Sequence, residues 1–223
     1  MKYYHLLFLS ILFLQSCSSD ADNYAIKGID VSHYQGRIGW QMVGLQNLDF
    51  VWMKATEGLN YKDSLFLRNW EQCHDFTDLK CGAYHFFRPR VSAKWQAQNF
   101  INQVELQAGD LPPVLDVEDL DGVSMPQLIN YMSVWLQLIE EHYQVQPIIY
   151  TYSDLYNRHL RVAFPNYTFW LARYNRHAPR LDSQAVFWQY SQTGSTIGIV
   201  GDVDQNIFTG SRADLERLCL PHN

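Results

Sequence analysis

The chain has 223 residues, 47% of them hydrophobic and 15% aromatic, and a formal charge of −6 at pH 7. That length accommodates one domain with a substantial core, since single barrels commonly run past about 200 residues. Its mild acidity excludes the clustered Lys and Arg that nucleic-acid binding requires.

In chain order, the first residues have the layout of an export signal. Lys2 gives a short basic start, and His5 to Leu14 (HLLFLSILFL) is an apolar run too short to span a bilayer as a stable helix. Residues 1–16 therefore read as a signal peptide. The ending Leu14-Gln15-Ser16-Cys17 resembles a bacterial lipobox and makes Cys17 a candidate for lipidation; the alternative is an ordinary cleaved signal with a chance cysteine. Residues 17–25 are expected to form a polar tether ahead of a single domain over residues 26–220. No second long apolar segment follows, so such an anchor would be the sole membrane attachment. Among the other cysteines, Cys73 and Cys81 either bridge in an oxidising envelope or stay as partly buried thiols, like Cys219; no C-x-x-C zinc pattern exists.

After the tether, strand and helix patterns alternate. Strand candidates are Gly28–Val31, Phe50–Lys54, Gly82–Phe86, Pro113–Glu118, Pro147–Thr151, Phe169–Ala172, Val186–Tyr190 and Asp202–Asn206. Between them, Ser92 can cap a helix with Ala93, Ala97, Phe100, Ile101, Val104 and Ala108 at helical spacing. Ser124 can cap another that carries Leu128, Met132, Trp135, Leu136, Ile139 and Tyr143 on one face. Shorter helices fit Trp40–Leu48, Ser64–Phe76 and Ser153–Val162.

The spacing of the strands discriminates between architectures. From Asp30 through Lys54, Tyr84, Asp116 and Tyr150 the steps are 24, 30, 32 and 34 residues, room for a strand and a crossover helix. From Tyr150 through Trp170, Trp188 and Asp204 they shrink to 20, 18 and 16. The expected fold is α/β: a modified TIM-like (β/α) barrel of about five βα units followed by three strands with few or no helices. In such barrels functional groups gather at the C-terminal strand ends. Here those ends carry Asp30, Lys54 with Glu57 just beyond, Tyr84 and His85, Asp116 and Glu118, Tyr150, Gln189, and Asp202 and Asp204; only the sixth strand departs, giving Ala172 and Arg173.

Asp116 and Glu118, in LPPVLDVED, lie two apart on a strand, so both project from one face with Cα atoms about 6.5–7 Å apart. Two carboxyl groups in unequal environments, one an acid and one ionised, are what glycosidic cleavage requires. Glu118, with the longer arm, is the expected general acid and Asp116 the expected ionised partner. A bare D-x-E also fits a structural pair neutralised by Lys54 or Arg88, and His33 and His85 read as satisfied core histidines. Tyr84, Tyr150 and Trp188 are candidates for stacking on sugar faces. H-E-x-x-H, G-x-S-x-G, P-loop and G-x-G-x-x-G motifs are missing, so no cofactor or metal is expected.

In order and spacing, GIDVSHYQG (28–36), KATEG (54–58), GAYHF (82–86), PVLDVE (113–118), IIYT (148–151), WQY (188–190) and VDQN (203–206) resemble the family 25 glycoside hydrolases, lysozymes acting as N-acetylmuramidases. The resemblance implies cleavage of the β-1,4 bond between N-acetylmuramic acid and N-acetylglucosamine in peptidoglycan. Glu118 matches the family's catalytic acid and Asp116 the acid that assists the acetamide or a water. Asp30 and Asp204 match its further acids, and Tyr84 and Tyr150 its tyrosines. Lys54, Glu57, Gln189 and Trp188 complete the expected substrate contacts. Gln205 departs from the apolar residue more usual between that Asp and Asn.

Two rivals remain. A chitinase of the D-x-x-D-x-D-x-E type would need Asp where Leu111 and Val114 stand. An inactive glycan-binding envelope lipoprotein would keep the fold without the chemistry. The expected partner is peptidoglycan glycan strands, with no nucleic acid; the chain is expected to be a monomer in the bacterial envelope, lipid-anchored or secreted.

Overall fold

The computed structural model describes residues 19–221; the signal segment and Cys17 lie outside the described residues. The strands in chain order are β1 (Ile26–Val31), β2 (Phe50–Glu57), β3 (Tyr61–Lys62), β4 (Lys80–Phe86), β5 (Val114–Val117), β6 (Ile148–Tyr152), β7 (Thr168–Ala172), β8 (Ala185–Gly194) and β9 (Val203–Phe208). Hydrogen bonding runs β1-β9-β8-β7-β6-β5-β4-β2 and closes through β1–β2, so eight strands form a barrel with β3 hanging on β2. All barrel pairings are parallel except those of β9, which runs antiparallel to both β8 and β1. The expected modified barrel is therefore present, with one reversed strand that spacing alone does not reveal.

Helices α1 (Trp40–Val43), α2 (Phe66–Phe76), α3 (Ala93–Ile101) and α4 (Met125–Tyr143) cover the first half, and residues 153–163 form a helical segment with a π turn at Tyr156–Leu160. Between β7 and β8, and between β8 and β9, the connections hold no helix. In α4, Leu128, Met132, Trp135, Leu136 and Ile139 are buried as their spacing predicts, and Gln127 closes the capping box onto the Ser124 N–H at 3.1 Å. Helix α3 stops at Ile101, short of the expected Ala108. Beyond it Asp110 accepts from the Gln107 N–H at 2.7 Å and pairs with the His74 ring at 2.7 Å, turning the chain back toward β5. A Cys73–Cys81 disulfide ties α2 to β4, and Cys219 is a free, half-buried thiol.

Residues 19–25 are not the loose tether expected. Asp20–Asn23 forms a 3-10 turn capped by Ser19, and Ala21 is buried against Trp188 and Ile207. The Asp20 N–H donates to the Arg176 carbonyl at 2.8 Å, and the Asp20 carboxylate accepts from the Ala178 N–H at 3.0 Å. These partners lie in the β7–β8 connection, far away in sequence.

Alternation along each strand divides the core in two. On β2, Val51, Met53 and Ala55 face outward to the helices, joined by Leu115, Val117, Ile149 and Leu171. Phe50 and Trp52 face inward with Tyr150, Trp170, Phe187 and Phe208. Trp52 stacks on Trp170 at 4.3 Å between ring centroids, with Phe187 edge-on to Trp52 at 4.7 Å. The lumen is thus a packed aromatic plug, as barrels of this size require. Gly28 and Gly82 make room for it: a Cβ on Gly82 would sit 2.4 Å from the Trp52 indole.

Gly82→Ala should therefore push Trp52 off Trp170 and cost about 1–3 kcal/mol, the usual penalty of overpacking. Urea unfolding of the two proteins measures it; equal midpoints and slopes would show that the lumen has slack and refute the packing argument.

Candidate active site

The same alternation sets the mouth of the barrel. One step above the plug, the inward positions become polar: Asp30 on β1, Lys54 on β2, Tyr84 on β4, Asp116 on β5, Tyr150 on β6, Gln189 on β8, and Asn206 and Asp204 on β9. All but the fully buried Asn206 line a cleft of about 280 Å³, floored by Trp170 and reaching Glu118 and Tyr152 at its rim. Because β9 is reversed, its N-terminal end meets the C-terminal ends of the others. Asp204 then lies directly opposite Asp30 in the β1–β9 register.

A hydrogen-bond chain fixes Asp30. Gln189 Nε2 and Asn206 Nδ2 both donate to Asp30 Oδ2 at 2.8 Å. The amides are themselves oriented: the Tyr150 and Tyr174 hydroxyls donate to Gln189 Oε1 at 2.6 and 2.8 Å, and the Trp170 indole N–H donates to Asn206 Oδ1 at 2.8 Å. Burial first and the Asp204 charge second push the Asp30 carboxyl well above the carboxylate range, against the opposing effect of the Asn206 and Gln189 hydrogen bonds. Burial and the Glu118 charge also raise Asp204, to about 6, although its hydrogen bond with Asp30 opposes the rise.

Asp116 and Glu118 share a face, but not an environment. Asp116 is buried, whereas Glu118 is half-buried at the rim, its Oε2 accepting from the Tyr152 hydroxyl at 3.0 Å. Burial, then the Glu118 charge, push Asp116 well above the usual range. This departs from the ready ionised partner expected of Asp116. The cation that could hold it ionised is engaged elsewhere: Lys54 Nζ sits 2.7 Å from Glu57 Oε2, and Arg88 Nε donates to Glu57 Oε1 at 2.9 Å. The pair is accordingly not a bridge neutralised by Lys54 or Arg88. Tyr84 and Tyr150 are raised far above 10 by burial and the surrounding acids, which keeps both phenols protonated.

Most predicted residues converge on the cleft, with clear exceptions. Trp188 does not: it faces away from the lumen, fully buried beside Ala21 and Ile207, with its indole N–H on the Arg173 carbonyl at 2.9 Å. Neighbouring strand residues cannot both point inward, and Gln189 takes the lumen side. Glu57 lies outside this cleft, in the adjoining concavity, and Asp202 is exposed on the loop before β9. His85 is the core histidine expected, bonded to Thr56 and Gln96 at 2.7 and 3.1 Å and lowered to about 4 by burial. Tyr152, Tyr174 and Asn206 were missed. Each lies two residues beyond an inward position (Tyr150, Ala172 and Asp204), so strict alternation would have found them.

A sequence profile of the glycosyl hydrolases family 25 matches residues 29–199. The chain is a family 25 glycosyl hydrolase. It is 40% identical over 200 residues to the uncharacterized protein YegX of Escherichia coli K12, spanning 87% of this chain and 73% of that one. Lysozyme M1 of Streptomyces globisporus is 36% identical over 222 residues, covering 91% of this chain and 74% of that protein. The solved structure of a family 25 glycosyl hydrolase from Bacillus anthracis matches with a TM-score of 0.81 at 32% identity, covering 89% of this chain and 95% of the other.

In this family 25 barrel the acid cluster carries a stability consequence. Asp204 is raised in the folded state from 3.8 to about 6, so its stabilising contribution is complete below about 3.8 and is lost as pH rises through about 6. Asp204→Asn should therefore stabilise the protein by on the order of 1–2 kcal/mol near pH 7.5 and change little near pH 4. Thermal unfolding at both pH values checks it; a variant less stable than wild type at the higher pH would contradict the placement.

Proposed function

We propose that the chain is a lysozyme-type muramidase that hydrolyses the β-1,4 bond between N-acetylmuramic acid and N-acetylglucosamine in peptidoglycan. The observation that carries this reading is the pairing at the end of β5: a half-exposed Glu118 held by Tyr152, with Asp116 buried behind it on the same face. The resemblance of the chain to Lysozyme M1 supports the same substrate class.

In this reading Glu118 donates its proton to the leaving glycosidic oxygen as the C1–O bond breaks. Asp116 lies buried behind Glu118, set back from the rim where the glycosidic oxygen would meet the acid, which places it to assist a neighbouring group and not to attack C1 itself. We assign the attack instead to the oxygen of the substrate's 2-acetamido group, which adds to C1 while Asp116 takes the amide N–H. Water then opens the cyclic intermediate, giving one proton to Glu118 while Asp116 returns its proton to the acetamide nitrogen, and a sugar of retained configuration is released. The Glu118 charge is the second cause of the Asp116 elevation, after burial, so a protonated Glu118 in the resting complex lowers the cost of ionising Asp116. Asp116 Oδ1 is buried and has no protein hydrogen-bond partner among the described residues. Asp30 and Asp204 complete the wall of the cleft, and Lys54, Tyr84, Tyr150 and Gln189 shape the sugar site.

Soluble peptidoglycan fragments followed by proton NMR test both chemistry and route. Glu118→Gln should lower turnover by about 10²–10⁴, and Asp116→Asn should lower kcat with a smaller effect on KM. The first-formed product should keep the β configuration. An inverted anomer would exclude acetamide attack, and wild type and Glu118→Gln cleaving equally poorly would favour an inactive glycan-binding protein.

We further place the protein in the bacterial envelope, lipidated at Cys17 after removal of residues 1–16, on the strength of the Leu14-Gln15-Ser16-Cys17 sequence. Since the fold is already anchored at Ser19, one residue would separate the lipidated Cys17 from the folded domain. Radiolabelled palmitate should enter the wild type and not Cys17→Ser; label in both would remove the anchor from this reading.

A further inference from the structure

Beside the cleft lies a second, more open concavity of about 550 Å³, continuous with the first through Tyr34 and Lys54. Its chemistry is opposite to that of the cleft. Two cations, Lys54 and Arg88, converge on one carboxylate, Glu57, and both lie over the Phe86 ring at 4.8 and 4.6 Å. Burial alone would raise Glu57, but the hydrogen bonds from Lys54 and Arg88 outweigh it and hold the group ionised. The balance of the three is one excess positive charge. The next acid, Asp63, is buried and occupied by the His33 ring at 2.7 Å and its N–H at 3.0 Å.

The cation is available. The Arg88 side chain is 46% exposed, and Glu57 takes only Nε and Nη2, so Nη1 has no hydrogen bond among the described residues. Around it are apolar and aromatic surfaces that no element among the described residues covers: Tyr34 is 81% exposed, Leu59 45% and Tyr61 40%. A cationic fork above exposed rings suits a short peptide that carries carboxylates, since guanidinium pairs carboxylate in a planar geometry.

Resting on the muramidase reading, we propose that this concavity holds the acidic stem peptide carried by the muramic acid lactyl group, with Arg88 binding one of its free carboxylates. The glycan then lies in the cleft while its peptide branch turns over Tyr34 onto the Tyr61 wall. The chain would thereby prefer peptide-bearing over bare or neutralised strands.

The test compares soluble glycan fragments bearing the stem peptide with fragments whose stem carboxylates are converted to primary amides. Wild type should lose about 5- to 10-fold in kcat/KM on amidation, through KM, as expected for one charge-assisted contact at a half-exposed site. Arg88→Gln should cleave both substrates at the lower value with kcat unchanged, and Arg88→Lys should recover part of the preference. A wild type indifferent to amidation overturns the stem-peptide site while leaving the muramidase reading intact. An Arg88→Gln loss equal on both substrates also overturns it, pointing to a neutral sugar contact. If wild type cleaves neither fragment and clears no peptidoglycan, the muramidase reading itself fails and the inference falls with it.

Discussion

The functional end of this barrel stands on the stacked pair Trp52 and Trp170. Their rings, 4.3 Å apart, close the lumen and put a dry floor directly under the carboxyl groups at the mouth. An acid on such a floor loses hydration from one side, which is why burial is the leading cause of elevation at Asp30, Asp116 and Asp204 alike. The plug also ties floor to wall chemically, because the Trp170 indole N–H orients Asn206, and Asn206 in turn holds Asp30. Packing and electrostatics are therefore one arrangement here: a change in the stack reaches the acids through two successive hydrogen bonds.

Reversal of β9 is the second determinant. A parallel eighth strand would carry Asp204 and Asn206 past the mouth in the opposite sequence order. Running antiparallel between β8 and β1, it sets Asp204 opposite Asp30 and Asn206 opposite Gly28, where the absence of a side chain leaves room for the Phe50 ring. Two carboxyl groups in register on adjacent strands cannot both be charged in a poorly solvated place, so one keeps a proton and hydrogen-bonds the other. The short helix-free connection makes this reversal feasible: β8 and β9 are joined at the mouth, as a hairpin, without a crossover to the far end of the barrel.

Much of this was legible in the chain. The strand candidates from Gly28 to Asn206 all fall on observed strands, because buried strands are marked by local apolar runs and their spacing reports whether a helix fits between them. Asp30, Asp116, Glu118 and Asp204 were visible as polar breaks at strand ends. What failed did so where long-range contacts decide. Residues 19–25 read as a polar tether, but Ala21 is buried by Trp188 and Ile207, distant in sequence. Trp188 read as a sugar platform because aromatic residues near strand ends attract that reading, yet parity with Gln189 forbids it. The ionisation of Asp116 depended on where Lys54 points, and Lys54 turns to Glu57. No local pattern carries that choice.

The division of labour between Asp116 and Glu118 follows from height along one strand. Two residues of β-structure advance the chain by about 6.5–7 Å, roughly the thickness of one layer of side chains in the lumen. Asp116 falls in the last closed layer, beside Phe86 and Tyr150, and Glu118 in the first open one, beside Tyr152. No special residue is needed to make their surroundings differ; ending β5 at Val117 is sufficient. One strand crossing the boundary between plug and solvent can thus hold a desolvated carboxyl and an accessible one within reach of a single sugar. The same step sets a limit on design by substitution. Extending β5 by one residue would turn both acids to the outer face, and deepening the cleft by one layer would bury Glu118 away from a leaving oxygen. The pairing works at one register of the barrel, and the aromatic floor is what fixes that register.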